Sequence, residues 1–296
     1  MPTNMQSEPL KLIEVADPAD PRLAPYRDQK DAWLRAAHNP GASADASSTG
    51  MGDGLFMGEG ELVVRELIAS AYEVESVLLS PTRLETMRDA LARLPRGVPI
   101  YVATREMMAA IAGFDIHRGV LACARRGPER DPREVIDAAR LLVVMEDLAN
   151  HDNVGGVLRS LGVLADPARG RPPGALLSPR CCDPLYRRAL RVSIGHALHV
   201  PFTRLAPWPE ALSLLRDAGV RTIALTPAPD AIPLREVSFE EGERVALLVG
   251  AEGPGLTPSA MARVDQRVRI EQRPGADSLN VVVAASIALA HLCGST

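Results

Sequence analysis

Three short stretches of this chain concentrate residue types that could do chemistry. The first is Asn150-His-Asp-Asn-Val-Gly-Gly-Val-Leu-Arg159. Here Asn153 is expected to open a helix as its N-cap. Gly155 and Gly156 clear the first turn, so a ligand or another backbone can approach. Arg159 follows within two turns; taken alone, the stretch is equally a capped helix with a surface arginine. The second is Leu247-Leu-Val-Gly-Ala-Glu-Gly-Pro-Gly-Leu256, in which three glycines and a proline make a tight loop around Glu252. That carboxylate could accept hydrogen bonds from a ligand or fix the loop. The loop lacks a terminal Gly-Lys-Ser/Thr, which argues against cradling a nucleoside triphosphate. It also comes too late in the chain, with the wrong spacing, for a dinucleotide fingerprint, which excludes a nicotinamide-dependent oxidoreductase. The third is Ile270-Glu-Gln-Arg-Pro-Gly-Ala-Asp-Ser-Leu-Asn-Val281, which leads into an apolar helix. Asp277 or Ser278 can cap that helix, but neither cap explains Asn280, a polar residue in its first turn that needs a partner.

The elements that must position these stretches follow from hydrophobic spacing. Continuous apolar runs at 141–145, 175–177, 200–202, 222–225 and 245–249 read as strands, with helical segments between them and a last helix over 278–292. Buried strands alternating with helices predict a mostly parallel sheet covered on both faces. Each of the three stretches then follows a strand, where ligands of open α/β sheets bind. A smaller α/β unit is expected over 55–126, with helices at 59–72, 81–94 and 106–112 and strands at 77–79, 98–102 and 120–124. A proline- and charge-rich linker over 127–140 separates the two. Residues 1–54 read as a polar arm and a flexible loop, the loop being the small polar run His38–Asp53.

Composition narrows the class. A chain of 296 residues that is 46% hydrophobic can bury two cores without disulfides. The net charge of −4 argues against a histone-like positive coat but leaves local basic patches open. Arg180, Arg187, Arg188 and Arg191 form one such cluster, and Arg187 and Arg191 share a helical face. With aromatic residues at 3%, base stacking on an aromatic sheet is a poor expectation, and shape and phosphate recognition a better one. Four cysteines form no CxxC pair, and His117 and His151 have no partner at ligand spacing, so no metal is expected. Cys181 and Cys182 read as small, buried or half-buried residues. A polar N-terminus and the lack of a long apolar run lead us to expect a cytoplasmic protein away from membranes.

Taken together, the three stretches resemble the SpoU (TrmH) family of RNA 2′-O-ribose methyltransferases, within the SPOUT superfamily. The family pattern is Asn-x-Gly-(Ala/Gly)-x-x-Arg, Gly-x-Glu-Gly-x-Gly and Ile…Ser-Leu-Asn-Val, and all three occur here in order across 141–296. The segment Ser178–Gly195 resembles the family's stretch between the first two motifs. Gly58–Arg65 and His117–Ala122 are similar to the L30e-like substrate-binding domain that many members carry. One departure stands out: Glu271-Gln272 occupies the place where the family has Pro-Met.

The resemblance implies an α/β methyltransferase domain with a deep trefoil knot, an L30e-like domain before it, S-adenosylmethionine as cofactor, an rRNA or tRNA substrate and a homodimer formed through the last helix. Gly250, Ile270 and Leu279 would cradle the cofactor by backbone contacts. Asn153, Arg159, Glu252, Ser278 and Asn280 would form the catalytic site, and Arg180, Arg187, Arg188 and Arg191 would meet RNA. Guanidinium groups stay protonated in proteins, so Arg159 is expected to bind phosphate and stabilise charge on the attacking oxygen. The rival reading is a catalytically idle RNA-binding protein that keeps the fold, for which Glu271 is the only hint.

Overall fold

The computed structural model describes residues 10–27, 54–113, 119–170, 172–240, 242–273, 275 and 278–294. They fall into two compact units, one within Met1–Pro128 together with Leu185–Leu198, the other within Glu129–Pro184 and His199–Thr296. The expected loop His38–Asp53, as well as His117 and Asp277, lies outside the described residues.

In the first unit, strands β1 (Leu12–Glu14), β2 (Leu55–Glu59), β3 (Val74–Leu79), β4 (Ile100–Val102) and β5 (Val120–Arg125) form one sheet in the order β1-β4-β3-β5-β2. Here β5 runs antiparallel to both β2 and β3, while β4 is parallel to β1 and β3. Helices α1 (Glu61–Ala69), α2 (Pro81–Leu91) and α3 (Arg105–Ala112) lie between the strands. The polar arm expected over residues 1–54 does not extend through residues 10–27. There β1 pairs with β4 and Leu23 and Tyr26 are fully buried, Tyr26 Oη lying 2.7 Å from Ser76 Oγ. A few apolar side chains spaced among aspartates and prolines are enough to dock the segment, although its average composition is polar. A second difference concerns 185–198, which the sequence assigns to the later domain. Its short helix Arg187–Val192 packs on β2, and a Cβ on Gly195 would stand 2.6 Å from Glu66 Cβ.

The second unit is a seven-stranded sheet in the order β10-β12-β9-β11-β6-β7-β8. Its strands are β6 (Leu141–Met145), β7 (Pro173–Leu177), β8 (Phe202–Arg204), β9 (Arg221–Leu225), β10 (Ile232–Pro233), β11 (Val245–Val249) and β12 (Gln266–Arg269). Every recorded pairing is parallel. The central strands β6 and β11 are buried at all five positions, as strands covered on both faces must be. Alternate side chains serve alternate faces. Leu142, Val144, Ala246 and Leu248 join one core with α4 (Pro132–Ala138) and the segment that includes α6 (Ser213–Asp217). On the other face lie α5 (His151–Leu164) and α8 (Val281–Gly294), which pack along each other, with α8 also on β11. A short α7 (Pro258–Met261) follows the glycine-rich loop. Strand β12 escapes the sequence reading because Gln-Arg-Val-Arg offers a single buried apolar residue, Val268, and β10 because it is only the two residues Ile232–Pro233. No helix among the described residues is long and apolar enough to cross a membrane.

Candidate active site

Helix α5 leaves the C-terminal end of β6, and its cap differs from the expected one. Asn150, not Asn153, is the N-cap: its side chain accepts from Asp152 N at 2.9 Å and its carbonyl from Val154 N at 3.2 Å. Two asparagines three residues apart have equal capping propensity, and burial decides between them. Asn153 sits inside the first turn, only 5% exposed, where it is released from capping.

The same correction applies to α8. The helix begins at Val281, and Asn280 is its cap, with Oδ1 accepting from Val282 N at 2.8 Å and the carbonyl accepting from Ala284 N at 3.0 Å. The amide end of that side chain is left for other work. Its Nδ2 donates to Glu252 Oε1 at 2.7 Å and, at 3.4 Å, to Asn153 Oδ1. One asparagine therefore ties the three chemistry-bearing stretches together.

Close packing of α5 and α8 makes this meeting possible. Gly156 faces Val282, whose methyl carbons would stand 2.7 Å from any Cβ added there. One turn on, Ser160 Oγ lies 2.7 Å from Ser286 Oγ. These pairs advance in the same direction, so the helices run parallel, side by side. The second glycine of the pair admits a neighbouring helix rather than a ligand.

Beside Asn280 opens a cavity of about 450 Å³, within the usual range for cofactor sites (roughly 300–1,000 Å³). Gly250, Glu252, Ile270, Ser278, Leu279 and Asn280, all singled out from the sequence, line it. Gly250 has no room for a side chain: an added Cβ would meet Gly255 C at 2.2 Å and Leu256 N at 2.3 Å. Gly253 and Gly255 adopt φ of +87° and +70°, backbone that favours glycine, and Gly255 N donates to Ala251 O at 2.9 Å to close the turn. Thr226, Pro227 and Gln272 also line the cavity. The first two follow β9, and the rule that ligands bind beyond strand ends was the signal that could have found them. Of the two residues that depart from the family pattern, Gln272 is in the lining, while Glu271 is not and forms an ion pair with Arg235.

Other candidates lie elsewhere. Arg159 is exposed on α5 and outside the cavity lining; six residues of helix carry it about 9 Å along the axis and about 120° around from Asn153. Val163, four residues further, shares its face and is 58% exposed. Arg180 sits in the loop after β7 and pairs with Asp147, which also accepts from Ser178 Oγ at 2.8 Å. The Arg180 guanidinium, helped by that hydroxyl, holds the Asp147 carboxyl below its usual range. Arg204 staples the same loop by donating to the carbonyls of Ser178, Pro179 and Cys181 at 3.0–3.1 Å. Burial pushes both neighbouring thiols up, Cys182 to about 12, which makes them poor nucleophiles at neutral pH. Arg187, Arg188 and Arg191 belong to the first unit, where Arg187 is half-buried and the other two are exposed.

Comparison with known proteins agrees with the motif reading. Residues 140–290 match the SpoU rRNA Methylase family. A Mycobacterium bovis protein described as an uncharacterised tRNA/rRNA methyltransferase is 41% identical over 280 residues, 94% of this chain and 91% of that one. The 23S rRNA (guanosine-2′-O-)-methyltransferase RlmB of Acinetobacter baylyi is 28% identical over 249 residues, 77% of this chain and 96% of its own. Among solved structures, an AdoMet-bound rRNA methyltransferase from Sinorhizobium meliloti shares the fold with a TM-score of 0.70 at 21% identity, covering 95% of this chain and 97% of that one. On its matched residues and on relatives that align along nearly its whole length, the chain belongs to the SpoU rRNA methylase family.

Proposed function

We propose that this protein transfers a methyl group from S-adenosylmethionine to a ribose 2′-hydroxyl of rRNA or tRNA. The observation that carries this reading is Asn280, whose side chain joins Glu252 and Asn153 at the edge of a cofactor-sized cavity. The cavity suits the cofactor in kind as well as volume. Gly250 brings bare backbone to its wall, which fits recognition of an adenine edge by N–H and C=O groups, and Glu252 supplies a carboxylate for a cationic ligand.

When bound, S-adenosylmethionine supplies a methyl group on a cationic sulfur that is already a good leaving group. The protein's task is then orientation and charge stabilisation. Gly250, Ile270 and Leu279 hold the cofactor through their backbone. Glu252, Ser278, Asn280 and Asn153 fix the reacting end, Asn153 through Asn280. Arg159 binds the phosphate beside the target ribose and stabilises charge developing on the 2′-oxygen. No relative here favours the idle reading, and Glu271, its one motive, is engaged by Arg235 and is not itself in the cavity lining.

Arg159 does not line the cavity of its own chain, which motivates a homodimer. Exposed Val283 and Ile287 form a stripe on α8 beside the α5 face that carries Arg159 and Val163, and a second copy seated there would bring its own Arg159 toward a neighbouring site. Of the five apolar α8 residues the sequence offers for the interface (Val281, Val282, Val283, Ile287 and Leu289), Val281 and Leu289 are buried within the chain and Val282 packs against Gly156, which leaves Val283 and Ile287 for it. The remaining features of the reading are a deep trefoil knot around α8, an L30e-like first unit that selects the RNA with help from Arg180, Arg187, Arg188 and Arg191, and action in the cytoplasm. The test is methylation of total RNA by the purified protein with radiolabelled cofactor, followed by mapping of ribose methylation. Label found only on bases, or no transfer to any RNA, would refute it.

A further inference from the structure

The glycine-rich loop 250–256 is exposed at its crown, and its shape must come from its two ends. Both ends land on one residue that the motif reading does not include. Glu146, the first residue after β6, donates its backbone N–H to Val249 O at 2.9 Å, where the loop begins. Where the loop ends, Thr257 donates its N–H to Glu146 Oε2 at 2.8 Å and its hydroxyl to Glu146 Oε1 at 2.7 Å. Trp208 Nε1 donates to the same Oε1 at 2.6 Å. Thr257 is also the cap of α7, its Oγ1 accepting from Ala260 N at 3.2 Å.

Glu146 is 1% exposed. A carboxylate in such a place is costly unless its oxygens are fully hydrogen-bonded, and the core could fill the space with a neutral side chain at lower cost. A carboxylate has one property that a neutral amide lacks: both of its oxygens only accept. Three N–H and O–H donors converge here, and glutamine would turn an NH₂ against at least one of them.

From this we infer that Glu146 is the positioning residue of the cofactor loop: by fastening both ends of 250–256 to the tip of β6, it holds Gly250 and Glu252 in the shape that S-adenosylmethionine requires. The inference rests on the cofactor reading of the cavity. It separates two neighbours of Glu146 by what they should do. Thr257 lies on the path from Glu146 to the loop, whereas Trp208 lies off it, in the segment after β8.

The test compares wild-type protein with Glu146→Gln, Thr257→Val and Trp208→Phe, measuring S-adenosylhomocysteine affinity by titration calorimetry and thermal stability in parallel. Hydrogen bonds to a charged group set the expected scale, about ten- to a hundredfold weaker binding for Glu146→Gln and about tenfold for Thr257→Val. Trp208→Phe should melt earlier yet bind as wild type does. A merely structural role predicts the opposite pattern, in which all three variants lose stability and none changes affinity once folded. Wild-type affinity in folded Glu146→Gln, or a loss in Trp208→Phe as large as in Thr257→Val, overturns the inference. If Glu146→Gln fails to fold, the other two variants decide it alone. Wild-type protein that binds no S-adenosylhomocysteine refutes the cofactor reading itself, and this inference with it.

Discussion

Strand β6 lies between β11 and β7, and the two residues that follow it face opposite ways. Glu146 holds the loop after β11, and Asp147 holds the loop after β7. The first anchor is buried and uses neutral donors; the second is partly open and uses an exposed arginine, 78% accessible at its side chain. Buried hydrogen bonds to a carboxylate are insensitive to salt, whereas an exposed ion pair is screened and contributes little. The difference teaches that the two loops are built for different duties. The glycine-rich loop is held in one shape, which suits the preorganised cofactor site proposed for it. The Arg180 loop keeps its backbone stapled by Arg204 but leaves the guanidinium in an exposed ion pair, which suits the RNA contact proposed for it. Asp147 reaches this arrangement at φ +56°, a left-handed conformation that a non-glycine residue adopts at some cost.

The largest effect belongs to the residue in neither loop. Arg159→Ala should lower single-turnover methylation by roughly 100- to 1000-fold, the scale of removing a donor to a developing oxyanion, while cofactor affinity stays at the wild-type value. Arg159→Lys should recover little, since a point charge cannot reproduce a bidentate fork. A matching fall in cofactor affinity would show that the α5 face is not separate from the cofactor loop.

Next in size is Gly250→Ala. The new Cβ would meet backbone, not a flexible side chain, so the loop must open. Overpacking of this kind costs about 1–3 kcal/mol, and calorimetry should find cofactor binding weakened with it. Unchanged binding would mean that the loop is as compliant as its neighbour, and the contrast would collapse.

The smallest effects should come from the Arg180 loop. Arg180→Gln should leave cofactor affinity alone and reduce the salt slope of RNA binding by about one. Its partner carries a pH signature. Because the folded-state value of Asp147 lies below its ordinary 3.8, the stabilisation is present above that ordinary value and is lost as pH falls through the lowered one. Asp147→Asn should therefore melt earlier than wild type at neutral pH, with the gap closing as pH falls through the lowered value. A gap that persists in acid would remove the ion pair as its cause.

Much of this was legible in the sequence, and the failures have physical reasons. Continuous apolar runs gave the parallel sheet, since only strands buried on both faces are written that way. The crowding of glycines around Glu252 announced a loop with no room for side chains, and Asn280 announced a missing partner. What sequence could not supply was the choice among equivalent caps. Asn150 and Asn153 differ only in what surrounds them, as do Ser278 and Asn280. Glu146 was invisible for a similar reason: one acidic residue after a strand looks like any solvated end until its donors, from Trp208 and Thr257, converge from far along the chain. The docking of 185–198 on β2 is likewise a tertiary fact that no local pattern records.

The pairing of α5 with α8 has a consequence in time. Ser160 and Ser286 are 126 residues apart in the chain, and Asn153 and Asn280 are 127 apart. Closing so long a loop costs chain entropy before any contact rewards it, and such contacts slow folding. Each strand of the sheet can find a neighbour without α8, but the wall that joins Asn153, Glu252 and Asn280 cannot exist until α8 has docked. The sheet can therefore form before the wall that lines the cavity is complete. The cavity wall is thus acquired in one step, when α8 docks on α5, rather than by degrees.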